Sequence, residues 1–177
     1  MRVIAGQLGG RLFESPGGHA THPMSDKIRG ALFNVLGDIK HLTFLDAFAG
    51  TGAIGFEAIS RGAESAQLVE LDKTAYLTIK SNISTLGLSD KVSVVRANIK
   101  GWSNNNQQLS YDVVVCDPPY DAVLETLIFK VARHVKQGGV LVLSWPSDDR
   151  IPAIPDMKVS QHKTYGNATL VFYVKTG

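Results

Sequence analysis

From Thr43 onward, short runs of β-branched and apolar residues alternate with segments of helical periodicity. The pattern predicts strands at 43–46, 66–70, 92–96, 111–116 and 140–144, and helices at 53–61, 73–86 and 122–135. Such alternation places parallel strands side by side, with helical crossovers on the faces of the sheet. We therefore predict a mostly parallel, doubly wound α/β sheet. The polar segment 103–108 is predicted to be a surface loop.

The two ends of the chain add antiparallel structure. Strands at 158–164 and 168–174 are separated only by Tyr165, Gly166 and Asn167, which predicts a C-terminal hairpin and brings the sheet to seven strands. The segments 2–5 and 12–15 flank two glycines and predict a small N-terminal hairpin.

A helix is predicted between the N-terminal hairpin and the sheet. Ser25 is a typical N-cap and Gly37 a typical stop. Between them, one face carries the apolar residues Ile28, Ala31, Leu32, Val35 and Leu36. Lys27 and Arg29 are therefore predicted to project away from that face. We divide the chain into an N-terminal extension, residues 1–40, and a main domain, residues 41–177.

The composition narrows the class of protein. Of 177 residues, 44% are hydrophobic and 19% are charged, which is typical of a globular protein, and no apolar run approaches the length of a membrane span. The N-terminus lacks the apolar stretch of a signal peptide. Cys116 is the single cysteine, and the five histidines show no metal-binding spacing. We expect a cytoplasmic protein with no membrane association and no bound metal.

A glycine-rich segment follows the first predicted strand of the main domain. Its glycines allow the backbone to approach a ligand, and Gly55 allows the next helix to lie against the strand. At the end of the second strand, a carboxylate can accept both hydroxyl groups of a ribose. The segment predicts a nucleoside site, with the candidate residues Asp46, Phe48, Ala49, Gly50, Gly52, Glu70, Leu71, Asn98 and Ile99.

Two cofactors fit this nucleoside site. Asn98 can accept a hydrogen bond from an adenine amino group, and the Ile99 N–H can reach a ring nitrogen. The glycine spacing is also that of the NAD fingerprint. However, Asp46 at the strand end would repel a pyrophosphate and can bind an ammonium group. This favours S-adenosylmethionine and leaves NAD as the alternative.

The tetrapeptide 117–120 follows the fourth predicted strand, at the edge where open α/β sheets bind ligands. Its two prolines lack N–H donors and leave the carbonyls of Asp117 and Pro118 free to accept hydrogen bonds. Tyr120 adds an aromatic face. Together these groups form an acceptor-rich slot for a planar ring with an exocyclic amino group, with Asp117, Pro118 and Tyr120 as candidate catalytic residues.

Positive charge is concentrated at the two ends of the chain. Residues 1–41 carry five Lys and Arg against three acids, and residues 157–177 carry three lysines and no acid. The chain between them has a net charge of −3. This distribution is suited to a polyanion bound at the margin of a catalytic domain. The candidate substrate-binding residues are Arg2, Arg11, His22, Lys27 and Arg29.

Several of these motifs together resemble the RsmD family of bacterial 16S rRNA guanine-N2 methyltransferases. They are Thr21-His22-Pro23, the segment from Asp26 to Leu36, Asp46-Ala47-Phe48-Ala49-Gly50-Thr51-Gly52, Val69-Glu70, Asp117-Pro118-Pro119-Tyr120 and Tyr165-Gly166. Three positions depart from the family pattern: His22, Met24 and Asn98 stand where Arg, Thr and Asp are usual.

The resemblance implies a class I S-adenosylmethionine methyltransferase fold for residues 41–177. It implies methylation of guanine N2 in 16S rRNA, free or in the assembling small subunit, by an enzyme that we expect to be a monomer. Two alternatives remain open: methylation of adenine N6 or another amino group of a nucleic acid, and RNA binding by an assembly factor without activity.

Overall fold

The computed structural model describes residues 1–18, 23–121 and 125–177. Its seven strands form one sheet in the order β3-β2-β1-β4-β5-β7-β6. The first five strands are parallel, and β7 is antiparallel to both of its neighbours. The strands are β1 (Thr43–Asp46), β2 (Ser65–Glu70), β3 (Val92–Arg96), β4 (Tyr111–Cys116), β5 (Val135–Pro146), β6 (Met157–Tyr165) and β7 (Ala168–Lys175). The predicted class I fold and C-terminal hairpin are confirmed.

The helices pack on both faces of the sheet. They are α1 (Asp26–Leu36), α2 (Ala53–Ser60), α3 (Lys73–Thr85), α4 (Ile99–Asn105) and α5 (Glu125–Ala132). One hydrophobic core contains residues of α1, α2 and α3, and a second contains residues of α4 and α5. In the described part of the chain, no helix has the length and apolar character needed to cross a membrane.

Helix α2 has no solvent-exposed face, because all eight of its residues are buried. It lies close to the sheet at Gly55, where a Cβ atom would approach the Leu68 side chain to 2.8 Å. This close contact is the one that a glycine at position 55 predicts. Burial of the whole helix is possible because its outer face is covered by the N-terminal segment.

The N-terminal segment is less regular than the predicted hairpin. Residues Arg2 and Leu12 form a single antiparallel bridge. The segment is fixed mainly by α2, where the Glu57 carboxylate accepts hydrogen bonds from the N–H groups of Ile4 at 2.8 Å and Ala5 at 3.1 Å. The Phe13 side chain packs edge-to-face on Phe56. Residues 1–40 and the sheet therefore share one hydrophobic core.

Helix α1 begins and ends as predicted, but its buried face is different. The Ser25 side chain accepts from the Ile28 N–H, and Gly37 follows the last helical residue with φ 73°. The prediction that Arg29 projects away from the core is wrong, because its side chain is 1% exposed, whereas Val35 is 38% exposed. The Arg29 guanidinium donates to the Arg2 carbonyl at 2.6 Å and lies 3.6 Å from the Glu57 carboxylate. The buried acid on α2 makes it possible for α1 to bury an arginine.

Two further boundaries differ from the predictions. Residues 103–105 belong to α4 and not to a loop, and Ser103 is buried with its hydroxyl 2.8 Å from the His134 ring. The predicted helix 122–135 ends at Ala132, and its first three residues lie outside the described part. Val135 instead begins β5, because the Tyr111 N–H already bonds to the His134 carbonyl there.

Candidate active site

The sheet brings four strand ends together at its carboxyl edge. Strand β1 lies between β2 and β4, and β5 lies beside β4. The order of the strands reverses at β1, so a crevice opens at this point of an α/β sheet. Four residues lie at or near these strand ends: Asp46 and Glu70 are the last residues of β1 and β2, Asp117 follows β4, and Ser144 lies two residues before the end of β5.

Asp46 is 3% exposed, and neither of its carboxylate oxygens has a hydrogen-bond partner among the described residues. Burial, and then the negative charge of Asp117, raises the pKa of Asp46 to about 8, and the nearby Phe48 N–H, which does not reach hydrogen-bond geometry, opposes this rise. A buried carboxylate without partners is unfavourable unless a ligand supplies a donor or a positive charge. Asp46 therefore fits an ammonium group, as the sequence predicts.

The Asp117-Pro118-Pro119-Tyr120 segment follows β4 directly. Burial raises the pKa of Asp117, and hydrogen bonding with Ser144 opposes this change. The Tyr120 hydroxyl lies 2.7 Å from the Ser144 hydroxyl, and the Tyr120 side chain is 37% exposed. Ser144 thus orients Tyr120 while leaving part of its ring accessible. Ser144 is not among the predicted site residues, although it is the last residue of the predicted strand 140–144, and this position is a usable signal.

Glu70 anchors the glycine-rich segment. One of its carboxylate oxygens accepts from the Gly50 N–H at 2.6 Å, and the other accepts from the Asp72 N–H at 2.9 Å. Gly50 and Gly52 have φ values of 56° and 82°, which favour glycine. A carboxylate oxygen has lone pairs for a second donor, so ribose hydroxyls can still bind at Glu70.

The remaining candidate cofactor residues flank this segment. Leu71 is 60% exposed beside Glu70 and offers an apolar surface to a planar ring. The Asn98 side chain caps α4 by accepting from the Lys100 N–H at 2.9 Å, and the Ile99 side chain is buried. Phe48 is half-buried, and the Ala49 N–H donates to the Val69 carbonyl at 3.0 Å.

The four predicted substrate-binding residues that the structure describes separate into an exposed group and one buried residue. Arg2, Arg11 and Lys27 are exposed. Arg29 is buried and bonded within the protein, so its assignment as a substrate contact is corrected. His22 lies outside the described residues. Within the ranges 1–18, 23–121 and 125–177, no group of three His, Cys, Asp or Glu side chains could hold a metal ion.

Comparison with known proteins identifies the family. The model of the family described as "Conserved hypothetical protein 95" matches residues 1–174. This chain belongs to that family. YlbH of Bacillus subtilis is 30% identical over 100% of both chains. Ribosomal RNA small subunit methyltransferase D of Buchnera aphidicola is 38% identical over 67% of this chain and 62% of its own length.

A solved structure extends the likeness to the whole fold. The Escherichia coli protein yhhF has a TM-score of 0.89 and 28% identity, and the match covers 99% of this chain and 98% of that one. The expected RsmD-family resemblance is thus confirmed. The chain is a methyltransferase of this family, and its fold fits S-adenosylmethionine as the cofactor. The alternative of an NAD enzyme is not supported.

Proposed function

We propose that this protein methylates the exocyclic N2 of one guanine in 16S rRNA, as a cytoplasmic monomer. The observation that carries the proposal is that the segment from Asp117 to Tyr120 and the unpartnered Asp46 lie at the same edge of the sheet. The name of the Buchnera relative, a small subunit rRNA methyltransferase, supports the substrate class.

When bound, S-adenosylmethionine would supply an electrophilic methyl group on a sulfur that becomes a neutral thioether once the methyl group is transferred. The residues on the cofactor side of the site bind and orient the cofactor. Asp46 is placed to pair with the amino group, Glu70 to accept from the ribose, and Leu71 to contact the adenine. Gly50 and Gly52 give this segment its positive φ values, and a Cβ atom at Gly52 would lie 3.0 Å from the Phe56 ring, so a larger residue does not fit there.

On the substrate side, Asp117 and the Pro118 carbonyl accept hydrogen bonds from the guanine amino group. The nitrogen is a poor nucleophile because its lone pair is delocalised into the ring, and these two acceptors favour localisation of that pair. The nitrogen bonds to the methyl carbon, and Asp117 accepts the proton that the amino group loses. Tyr120, held by Ser144, stacks on the base and aligns it for attack.

We propose that residues 1–40 contact RNA while residues 41–177 form the methyltransferase domain. Arg2, Arg11 and Lys27 are exposed cations on this extension, and Arg2 is partly neutralised by Asp26 at 2.9 Å. Loss of a phosphate contact lowers the salt dependence of binding by roughly 0.7 to 0.9 log units. Arg2→Ala/Arg11→Ala should therefore flatten the salt slope of RNA binding without changing cofactor affinity. An unaltered slope would refute this role for the two arginines.

Mass spectrometry of methylated RNA tests the function directly. Unmodified 16S rRNA and small subunits reconstituted from it are incubated with the protein and labelled S-adenosylmethionine, then digested to nucleosides. We expect N2-methylguanosine as the labelled nucleoside, and a parallel nuclease digest should carry the label in one fragment. N6-methyladenosine would identify the adenine-N6 alternative, and absence of label on both substrates would overturn the proposal.

A further inference from the structure

Strand β6 forms the outer edge of the sheet and is almost entirely exposed. Seven of its nine residues are exposed, and its inner neighbour is β7. From residue 157 to the end of the chain there is no acid. Lys158 and Lys163 both lie on this strand. The proposed N-terminal contact with RNA does not involve this basic strand.

A register shift places the two lysines on the same face of β6. They are five residues apart, and in a regular strand an odd separation would put them on opposite faces. The pairing with β7 shifts between Val159 and Gln161, which inserts one extra residue. Lys158 is therefore opposite Val174 and Lys163 is opposite Leu170. These two partners are an even number of residues apart, so both lysines project to one side.

That side of the sheet also carries the N-terminal segment. Residues directly opposite each other in an antiparallel pair project to the same face. Leu170 belongs to the hydrophobic core that contains Val3 and Phe13 of the N-terminal segment and Leu32 of α1. The basic N-terminal segment and both β6 lysines therefore lie on one side of the sheet, which is also the side of Leu170.

Lys163 lies in one row with a residue of the active site. Ser144 on β5 is opposite Leu170 on β7, and Leu170 is opposite Lys163 on β6. With neighbouring strands roughly 5 Å apart, the row spans roughly 10 Å from Ser144 to Lys163. The Tyr120 hydroxyl bonds to Ser144 at 2.7 Å. The Lys163 ammonium lies 5.4 Å from the centre of the Tyr165 ring, which holds it at this end of β6.

We propose that the face of β6 formed by Lys158 and Lys163 binds the phosphates of the RNA strand that flanks the target base. The inference rests on the proposed function and extends its substrate contact to the opposite end of the chain. An RNA whose base enters the slot at Tyr120 has its neighbouring phosphates within reach of Lys163, and Lys158 continues the path along β6. The nucleic acid is thus held between the N-terminal segment and β6.

A double variant with a matched control tests this surface. Lys158→Ala/Lys163→Ala removes two charges from β6, and Lys80→Ala/Lys91→Ala removes two exposed charges near β3, at the other edge of the sheet. Binding to unmodified 16S rRNA is measured over a series of salt concentrations. We expect the β6 variant to flatten the salt slope by roughly 0.7 to 0.9 log units per contact and to raise KM for RNA. We expect kcat at saturating RNA, the affinity for S-adenosylhomocysteine and the slope of the control to remain unchanged.

Other outcomes would overturn the inference. Lysines on an edge strand can instead prevent self-association. In that case, the β6 variant would form dimers or larger species in light scattering with an unchanged RNA salt slope. The wild-type protein separates this result from failure of the proposed function. If the wild type methylates 16S rRNA and the β6 variant has the same RNA salt slope as the control variant, the β6 surface is refuted and the proposed activity stands.

Discussion

Asp46 and Glu57 are both fully buried acids, yet their surroundings are opposite. Glu57 is 0% exposed, and its oxygens accept from two backbone N–H groups and lie 3.2 and 3.6 Å from Arg61 and Arg29. Asp46 is 3% exposed and has no hydrogen-bond partner in the described part of the chain. The first acid is neutralised by the fold, whereas the second is left for a ligand.

The difference separates residues that hold the protein together from residues that act on a ligand. A buried charge with all its partners present stabilises one arrangement of the elements around it. A buried acid without partners costs stability, and evolution tolerates the cost where function requires it. For these two acids, burial does not distinguish the two roles, but the hydrogen-bond partners of the carboxylates do.

The largest effect is expected at Glu57. Glu57→Ala leaves the buried Arg29 with only the partly exposed Asp26 as a charge partner. Breaking a buried pair in this way lowers the free energy of unfolding by about 3–5 kcal/mol. Urea unfolding followed by circular dichroism measures this change. The matched control Glu64→Ala, at an exposed site, should change it by no more than about 0.5 kcal/mol. Equal losses of unfolding free energy in the two variants would show that Glu57 does not stabilise the fold.

The next effect is expected in the rate of Asp117→Ala. Loss of a charged hydrogen bond to the reacting group and of its orientation should lower kcat on the order of a hundredfold or more. Affinity for S-adenosylhomocysteine and the urea midpoint should remain near those of the wild type, unlike in Glu57→Ala. Turnover above about a tenth of the wild-type rate would refute the catalytic role. The exposed Asp90→Ala serves as the control.

Glu70 both holds the glycine-rich segment and is proposed to contact the cofactor, so its substitution should weaken cofactor binding moderately. Glu70→Ala removes the proposed ribose contact and the acceptor for the Gly50 N–H, and should weaken cofactor binding by about 2 kcal/mol. Glu70→Gln retains a side-chain acceptor and should lose less. Calorimetric titration with S-adenosylhomocysteine measures both variants. An unchanged dissociation constant in Glu70→Ala would move the ribose elsewhere.

At neutral pH, the smallest effect is the release of a proton from Asp46 when the cofactor binds. With a pKa of about 8, Asp46 is mostly protonated at pH 7 before the cofactor binds. Pairing with an ammonium group favours the charged form, so binding of S-adenosylhomocysteine at pH 7 should release roughly one proton. The release should disappear at pH 9 and in Asp46→Asn. Titration calorimetry in two buffers of different ionisation enthalpy counts the protons, and equal enthalpies at pH 7 would contradict the pairing.

The same group predicts a pH dependence of stability. Because the folded pKa of Asp46 lies above its ordinary value of 3.8, its cost is absent below about pH 4 and is complete near pH 8. Over this window, wild-type stability should fall relative to Asp46→Asn by at most about 1.4 kcal/mol per pH unit. Parallel stability curves for the two proteins would show that Asp46 retains an ordinary pKa.

The sheet and the site loops could be predicted because their signals are local. Runs such as the one from Tyr111 to Cys116, and the glycines at 50 and 52, carry the strand and turn information in neighbouring residues. Parallel order then places the strand ends at one edge. For this reason the predicted slot around Asp117 and Asp46 lies in the structure at the expected edge.

The errors arose where a distant partner determines the outcome. The helical pattern of α1 gives no indication that Arg29 meets Glu57, which is 28 positions further along the chain. The polar residues at 103–105 are typical of a loop, but the His134 ring allows Ser103 to be buried in α4. Likewise, the unpartnered state of Asp46 depends on contacts that are absent, which a sequence pattern does not encode.

Helix α2 has a consequence for attempts to shorten the protein. Its N-terminal end follows the cofactor loop, while Glu57 and Phe56 contact the first residues of the chain. A truncated protein that begins at β1 would expose the Phe56 ring and would leave Glu57 with Arg61 but without Arg29 and the N–H groups of Ile4 and Ala5. Residues 1–13 therefore supply the cover for the outer face of α2, and we expect a fragment without them to be less stable than the whole chain.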